Sequence, residues 1–312
     1  MDRFDPRWDD DRDRSPSADR DWGGRSGRDA HDPRGGLERG PFTRDLDLPG
    51  GQERERVRSR GRDYDLDGAD SEALATIGAF RVVHIEDLRE GPEANRPDES
   101  AVERVRRLDD SGLLERIPLD GRERDVVVLT DRGRELLDGH RRERADQPRQ
   151  AFFARLRKPR ELSHDAQVYR AFRRAEERLR GQGGRVRRVV LDYELKGDYQ
   201  RFLQERNRGR ADSDGRPDRT AEEVAAWARQ HDLPYFDDQV HFPDARIEYD
   251  DAACDPRHED IEVVTPHYRG THAAAAARSG FRRYGAGFAG RGGGGGRGSR
   301  ARRGGLADEL LG

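Results

Sequence analysis

Apolar positions recur at helical or strand spacing in only part of this chain, and the periodic parts are separated by stretches dense in charge. The first periodic stretch is "SEALATIGAFRVVHIEDLRE", from Ser71. Leu74, Ile77 and Gly78 fall at helical spacing, "FRVVHI" reads as a short strand, and a short helix follows from Ile85. In "RPDESAVERVRRLDDSGLLERI" a second helix has Asp98 or Ser100 as its N-cap and Gly112 as its stop, with Val102, Val105 and Leu108 facing inward. "LLERIPLDGRERDVVVLT" predicts two short strands joined through Asp120-Gly121, a strong hairpin dipeptide. "TDRGRELLDGH" then opens a helix with a Thr/Asp cap and buries Leu136 and Leu137.

The pattern resumes at Glu161. "ELSHDAQVYRAFRRAEERLRGQGG" is an amphipathic helix with Val168, Phe172, Ala175 and Leu179 on one face. "RVRRVVLDYEL" reads as a strand, "DYQRFLQERN" as a helix and "RADSDGRPDRT" as an exposed loop. "TAEEVAAWARQHDL" is a helix capped by Thr220, with Glu223 closing a capping box. A strand pair, "VHFPDARIEYD" and "HEDIEVVT", and a last helix, "THAAAAARSGFRRYG", complete it.

The element order of the first periodic region resembles the winged helix-turn-helix domains of bacterial regulators and plasmid proteins. The expected fold class is mixed α+β. A disordered Arg/Asp-rich arm (1–68) precedes a winged helix-turn-helix (69–140). A linker (141–160) leads to a small α/β domain (161–284), and a Gly/Arg-rich tail (285–312) ends in a short amphipathic "LADELLG".

Composition supports the disordered arm. The chain of 312 residues is 40% charged and only 32% hydrophobic, too little apolar surface for all of it to bury a core. Charges of both signs alternate before residue 68, and Phe4, Trp8, Trp22 and Phe42 stand isolated there. The net charge of −3 hides 61 basic against 64 acidic residues, and lysine occurs only at Lys158 and Lys196. Arginine suits phosphate and base-edge contacts, and it is equally what a GC-rich genome encodes. The single cysteine, Cys254, excludes an intramolecular disulfide and a Cys-based zinc site. With no apolar leader and no run of apolar residues long enough to span a bilayer, the expected location is the cytoplasm, with no membrane partner.

In the first domain the outward face of the second helix carries Ser100, Glu103, Arg106 and Arg107, and the hairpin tip carries Arg122 and Arg124. Arginines so placed read guanine edges or clamp phosphates of double-stranded DNA. Glu103, Asp109 and Asp110 dilute that patch, which leaves protein contact as the competing use.

In the second domain "FPDARIEYDDAACDPRHEDIEV" has the outline of the PD-(D/E)xK nuclease core. Asp244 fits the first acid, and Glu262 or Asp260 the second; a pair of hard carboxylates would hold Mg²⁺. The lysine two residues on is missing, since Val264 follows Glu262 and Glu262 follows Asp260. Glu194 is a further upstream acid. The plainer reading makes Asp244 a turn residue after Pro243 and Glu262 a half-exposed strand residue. His164-Asp165 has the composition of a catalytic or metal pair; the plainer reading is that it opens a helix, where an Asp favours the dipole and a His packs or caps. No histidine spacing indicates zinc.

A winged helix, then "LSHD" (Leu162, Ser163, His164, Asp165), "PDARIEY", "DIEVVT" and an Ala-rich helix together resemble the replication-relaxation family. That resemblance implies a non-catalytic DNA-binding accessory protein for replication or mobilisation of a bacterial plasmid or integrated element. No cofactor is expected, and a relaxase or other mobilisation protein is the expected partner of the tail. A transcriptional regulator of the element and an Mg-dependent DNA nuclease are the alternatives. In the tail, Arg291, Arg297, Arg300, Arg302 and Arg303 fit a non-specific nucleic-acid tether, because neutralising a phosphate backbone needs only charge.

Overall fold

Strands β1 (Glu55–Ser59) and β2 (Arg62–Leu66) form an antiparallel hairpin inside the stretch expected to be disordered. Its turn is only Arg60-Gly61, both at positive φ, which glycine adopts at no steric cost. Alternation is what folds it. Val57, Tyr64 and Leu66 turn inward and are buried, while Arg58 and Asp63 face each other across the outer side. Here the charge that suggested disorder lies on one face of a strand pair. The computed structural model describes residues 39–90, 100–118, 125–143, 148–155, 162–208, 217–264 and 278–285.

Helix α1 (Gly68–Phe80) starts at a capping box: Asp67 Oδ1 accepts from the Asp70 N–H at 2.9 Å, and Asp70 Oδ2 from the Asp67 N–H at 3.2 Å. The helix is apolar nearly all round and is buried accordingly, with Leu74, Ile77 and Phe80 in the core. β3 (Val83–His84), a 3-10 turn (Ile85–Glu90), α2 (Ala101–Asp110), β4 (Leu114–Ile117), β5 (Val126–Leu129) and α3 (Asp131–Gly139) follow. The sheet order is β3-β5-β4, antiparallel throughout. Gly133 lets α3 pass close over this sheet, since a Cβ there would lie 2.3 Å from the Leu113 carbonyl oxygen. The inward face of α2 is Val105 and Leu108; Val102, expected beside them, is 37% exposed.

Helix α4 (Leu162–Gly181), β6 (Arg185–Leu191), α5 (Asp192–Gln204), α6 (Ala221–Gln230), β7 (Tyr235–Phe236), β8 (Gln239–Val240), β9 (Ala245–Asp250), β10 (Pro256–Val264) and β11 (Arg282–Gly285) make the second half. The main sheet is ordered β11-β10-β9-β6, with β6, β9 and β10 antiparallel and β11 parallel to β10. Helix α5 starts directly at the end of β6, within the stretch read as strand. "RRYG", read as the end of the last helix, is strand β11: it takes the free edge of β10, pairing Ile261 with Arg282 and Val263 with Tyr284. The Ala-rich part of that expected helix lies outside the described residues.

The two halves share one core. The Val168/Phe172/Ala175/Leu179 stripe of α4 is buried with Ile247, Ile261 and Val263 of the main sheet. A second set, Leu162 and Ala166, packs on Val82, Val126 and Val128 of the three-stranded sheet. Phe80 and Phe172 lie 4.9 Å apart between ring centroids, Phe80 and Tyr169 5.0 Å, and Phe42 touches both phenylalanines. Ion pairs Arg81–Asp165 (3.3 Å) and Arg170–Asp87 (2.6 Å) span the same junction. The expected linker contributes too. Phe152 and Phe153 are buried, and the Gln150 amide bonds both the N–H and the C=O of Val189 at 2.9 Å, satisfying the outer edge of β6. The described residues of both halves therefore belong to one unit.

Phe172→Ala is expected to cost about 3–5 kcal/mol and to lower amide-exchange protection in 68–139 and 185–264 together. Loss confined to one of these ranges would show that the halves unfold separately.

Candidate functional site

Four elements of the second half converge where the chain leaves β6 and enters β9. The Asp192 N–H, at the start of α5, donates to the Asp244 carbonyl, and the Asp244 N–H donates to the Ile261 carbonyl, each at 3.0 Å. The Asp244 carboxylate is used at both oxygens. Oδ2 accepts from the Val263 N–H of β10 at 2.7 Å, and Oδ1 lies 3.1 Å from His164 Nε2 on the first turn of α4. Asp244 is thus bonded to β10, α4 and α5 at once. With Ala245 paired to Ile261, Glu262 is the next residue opposite Asp244, and it is buried.

The bond to Asp244 raises the His164 pKa to about 9; burial opposes the rise, and the Asp165 and Asp192 carboxylates add to it. The ring is an imidazolium at neutral pH. Neighbouring acids have cations of their own: Arg81 for Asp165, Lys196 for Asp192 (2.7 Å), and Arg246 for Asp260 through bonds of 2.7 and 2.9 Å. Arg246 also donates to the His231 and Asp232 carbonyls, which fixes the end of α6 against the sheet. Glu194 accepts from the Leu191 N–H at 3.2 Å. Burial pushes its carboxyl up to about 7, against that N–H and against Arg188.

Register brings Asp244 and Glu262 together as the spacing suggested. It does not make them a magnesium cage, which needs several open carboxylate oxygens in octahedral arrangement. Asp244 is closed by His164 and Val263, Asp260 is locked on Arg246, and no group of three or more metal-ligating side chains forms among the described residues. The residues present do not fit the ion.

In the first half the expected DNA-facing set divides. Ser100 and Glu103 form the capping box of α2, with reciprocal bonds of 3.2 and 2.9 Å. Arg107, expected outward, turns in: its Nη2 donates to Asp70 Oδ1 at 2.7 Å, and Arg104 Nε approaches the same oxygen at 3.4 Å. Asp70 is fully buried, so it draws these cations from the facing helix. Arg106 stays exposed, one turn from Val102 and beside Glu103 and Asp110. Arg122, Arg124 and the tail arginines Arg291, Arg297, Arg300, Arg302 and Arg303 lie outside the described residues.

Two contacts are not legible from the local sequence. The local pattern offers His164 a catalytic or metal pairing with Asp165, or packing or capping; its partner is instead Asp244, 80 positions along the chain. Asp70 carried a local signal, the Asp67/Asp70 box, but nothing local indicated that its free oxygen would hold Arg107. No family model matches this chain, and no curated protein and no solved structure matches it. Among the described residues no helix is long and apolar enough to cross a membrane.

Both shifted groups bind protons more tightly in the folded state than unfolded, so stability declines as they deprotonate. The Glu194 contribution should be lost as pH rises from 4.5 to about 7. That of His164 is present in full below 6.5 and should be lost through about 9, with Asp244, Asp165 and Asp192 as the charges it faces. Urea midpoints across this range should lose their slope in the lower window for Glu194→Gln and in the upper window for His164→Gln. Curves parallel to wild type would refute the assignment.

Proposed function

We propose that this protein is a DNA-binding accessory factor for replication or mobilisation of a plasmid or integrated element, and that it acts without cleaving DNA. The observation that carries this reading is the first half's order, α1-β3-turn-α2-β4-β5-α3, with sheet order β3-β5-β4. This order supports a winged helix-turn-helix reading, in which α2 would be the recognition helix and the β4–β5 connection the wing. The exposed face of α2 presents Arg106, suited to a guanine edge or a phosphate, and Val102, whose methyls suit a thymine methyl. The wing would add Arg122 and Arg124, and the tail arginines a sequence-independent tether.

The second half supports a degenerate nuclease-like layout: a helix, three antiparallel strands and a fourth strand parallel to the third. Asp244 and Asp260 are already paired internally, with His164 and Arg246, which favours binding or scaffolding over metal-dependent cleavage. The resemblance to the replication-relaxation family supplies the biological context, including a mobilisation protein such as a relaxase as partner of the tail.

Duplex-DNA isotherms at several salt concentrations test the reading. Binding should weaken steeply with salt, and Arg106→Ala should lose about 1–3 kcal/mol with altered sequence preference if it contacts a base, or mainly flatten the salt slope if it contacts a phosphate. Arg107→Ala should instead lower the unfolding midpoint, since it strips a partner from buried Asp70. Unchanged affinity in Arg106→Ala, or no binding by wild type at low salt, would point to a protein-contact module.

A further inference from the structure

We propose that His164 takes the place of a divalent cation in the second half. It neutralises Asp244 and ties the start of α4 to the β9–β10 end of the sheet, so that this site is assembled without metal. The inference rests on the nuclease-like layout read above, but on neither DNA binding nor cleavage.

Three observations carry it. First, position: a cation bridging the acids of such a layout would sit on the Asp244 carboxylate, and His164 Nε2 stands there at 3.1 Å from Oδ1, while the Val263 N–H fills Oδ2. Second, charge: four acids around the junction each have a cation within 3.3 Å, Asp165 with Arg81, Asp192 with Lys196, Asp260 with Arg246 and Asp244 with His164. A divalent ion added to that set would meet cations instead of free carboxylates. Third, connection: Asp244 bonds to β10 by side chain and backbone and to α5 by its carbonyl, and the imidazole adds a polar tie from its carboxylate to the first turn of α4. A metal holds a site together by bridging ligands from separate elements, and here a protein side chain makes that bridge. The arrangement also accounts for the missing lysine of the nuclease pattern: with no metal-bound phosphate to steady, a charge at Val264 would have nothing to act on.

The test uses the full chain, Mn²⁺ as probe, and two readouts, thermal unfolding and electron paramagnetic resonance of bound Mn²⁺. Acidic stretches elsewhere bind Mn²⁺ weakly, so each variant is compared with one that also carries Asp244→Asn. Wild type should melt at the same temperature with chelator or with Mn²⁺. His164→Ala should melt several degrees lower in chelator, and should regain part of the loss in Mn²⁺ together with one extra bound ion per chain. Adding Asp244→Asn should abolish both gains. If His164→Ala does not fold, His164→Lys and His164→Gln decide: the lysine, which keeps the charge, should stand closer to wild type than the glutamine, which keeps only a hydrogen bond.

Three results would overturn the proposal. One is Mn²⁺ stabilisation of wild type that Asp244→Asn removes, which would make this an ordinary metal site. Another is a His164→Ala variant that melts like wild type or gains no ion. The third is a glutamine variant equal to or better than the lysine one. None of these outcomes bears on whether α2 binds DNA, which the salt-dependent isotherms read separately.

Discussion

Helix α4 is the element on which the rest depends, because two sheets bury against it and neither closes a core alone. The three-stranded sheet is thin, and its central strand, β5, is buried at all four positions. Helix α1 covers one face of that strand; the other needs Leu162 and Ala166. The main sheet in turn lays Ile247, Ile261 and Val263 on the other stripe of the same helix. A helix used on two sides must be apolar on two sides, and its remaining polar groups must find partners inside the fold. Asp165 and Arg170 do so, with Arg81 and Asp87.

Much of this was legible locally and some of it was not, for physical reasons. The caps at Ser100, Thr130 and Thr220, the stripe Val168/Phe172/Ala175/Leu179 and the strand pair around Asp244 all depend on residues within a few positions of one another. What was missed depends on distant partners. Residues 39–67 looked like a polyampholyte because the apolar positions of the hairpin are few and its charges many, yet Val57, Tyr64 and Leu66 suffice once α1 is there to receive them. Strand β11 exists because β10 offers an open edge, which "RRYG" itself does not announce. The face of α2 was misjudged because Val102, Val105 and Leu108 do not form one stripe. Ala101, Arg104, Val105 and Leu108 do, at spacings of three and four, with arginine stems completing the apolar surface.

The candidate site shows the same division. Spacing placed Asp244 beside Glu262, since register in an antiparallel pair follows from the hairpin. It could not show which oxygens would remain open. That was decided by His164, Arg246 and Lys196, each arriving from another element or turn. In a chain whose basic charge is almost all arginine and nearly matches its acidic charge, internal pairing competes with any external ligand for every carboxylate and every guanidinium. Arg107 on Asp70 is the clearest case: a residue expected to face outward is held by the protein itself.

Gln150 has a consequence for how this protein meets copies of itself. The outer edge of β6 would otherwise present a row of N–H and C=O groups able to accept another strand. The Gln150 amide occupies those of Val189, and Arg44 donates to the Arg187 carbonyl two positions away. Side chains have thus taken the place of a neighbouring strand without extending the sheet. They terminate it at this edge, much as a stopper group ends a growing polymer, so that among the described residues the sheet is extended only on the opposite side, where β11 is added to β10.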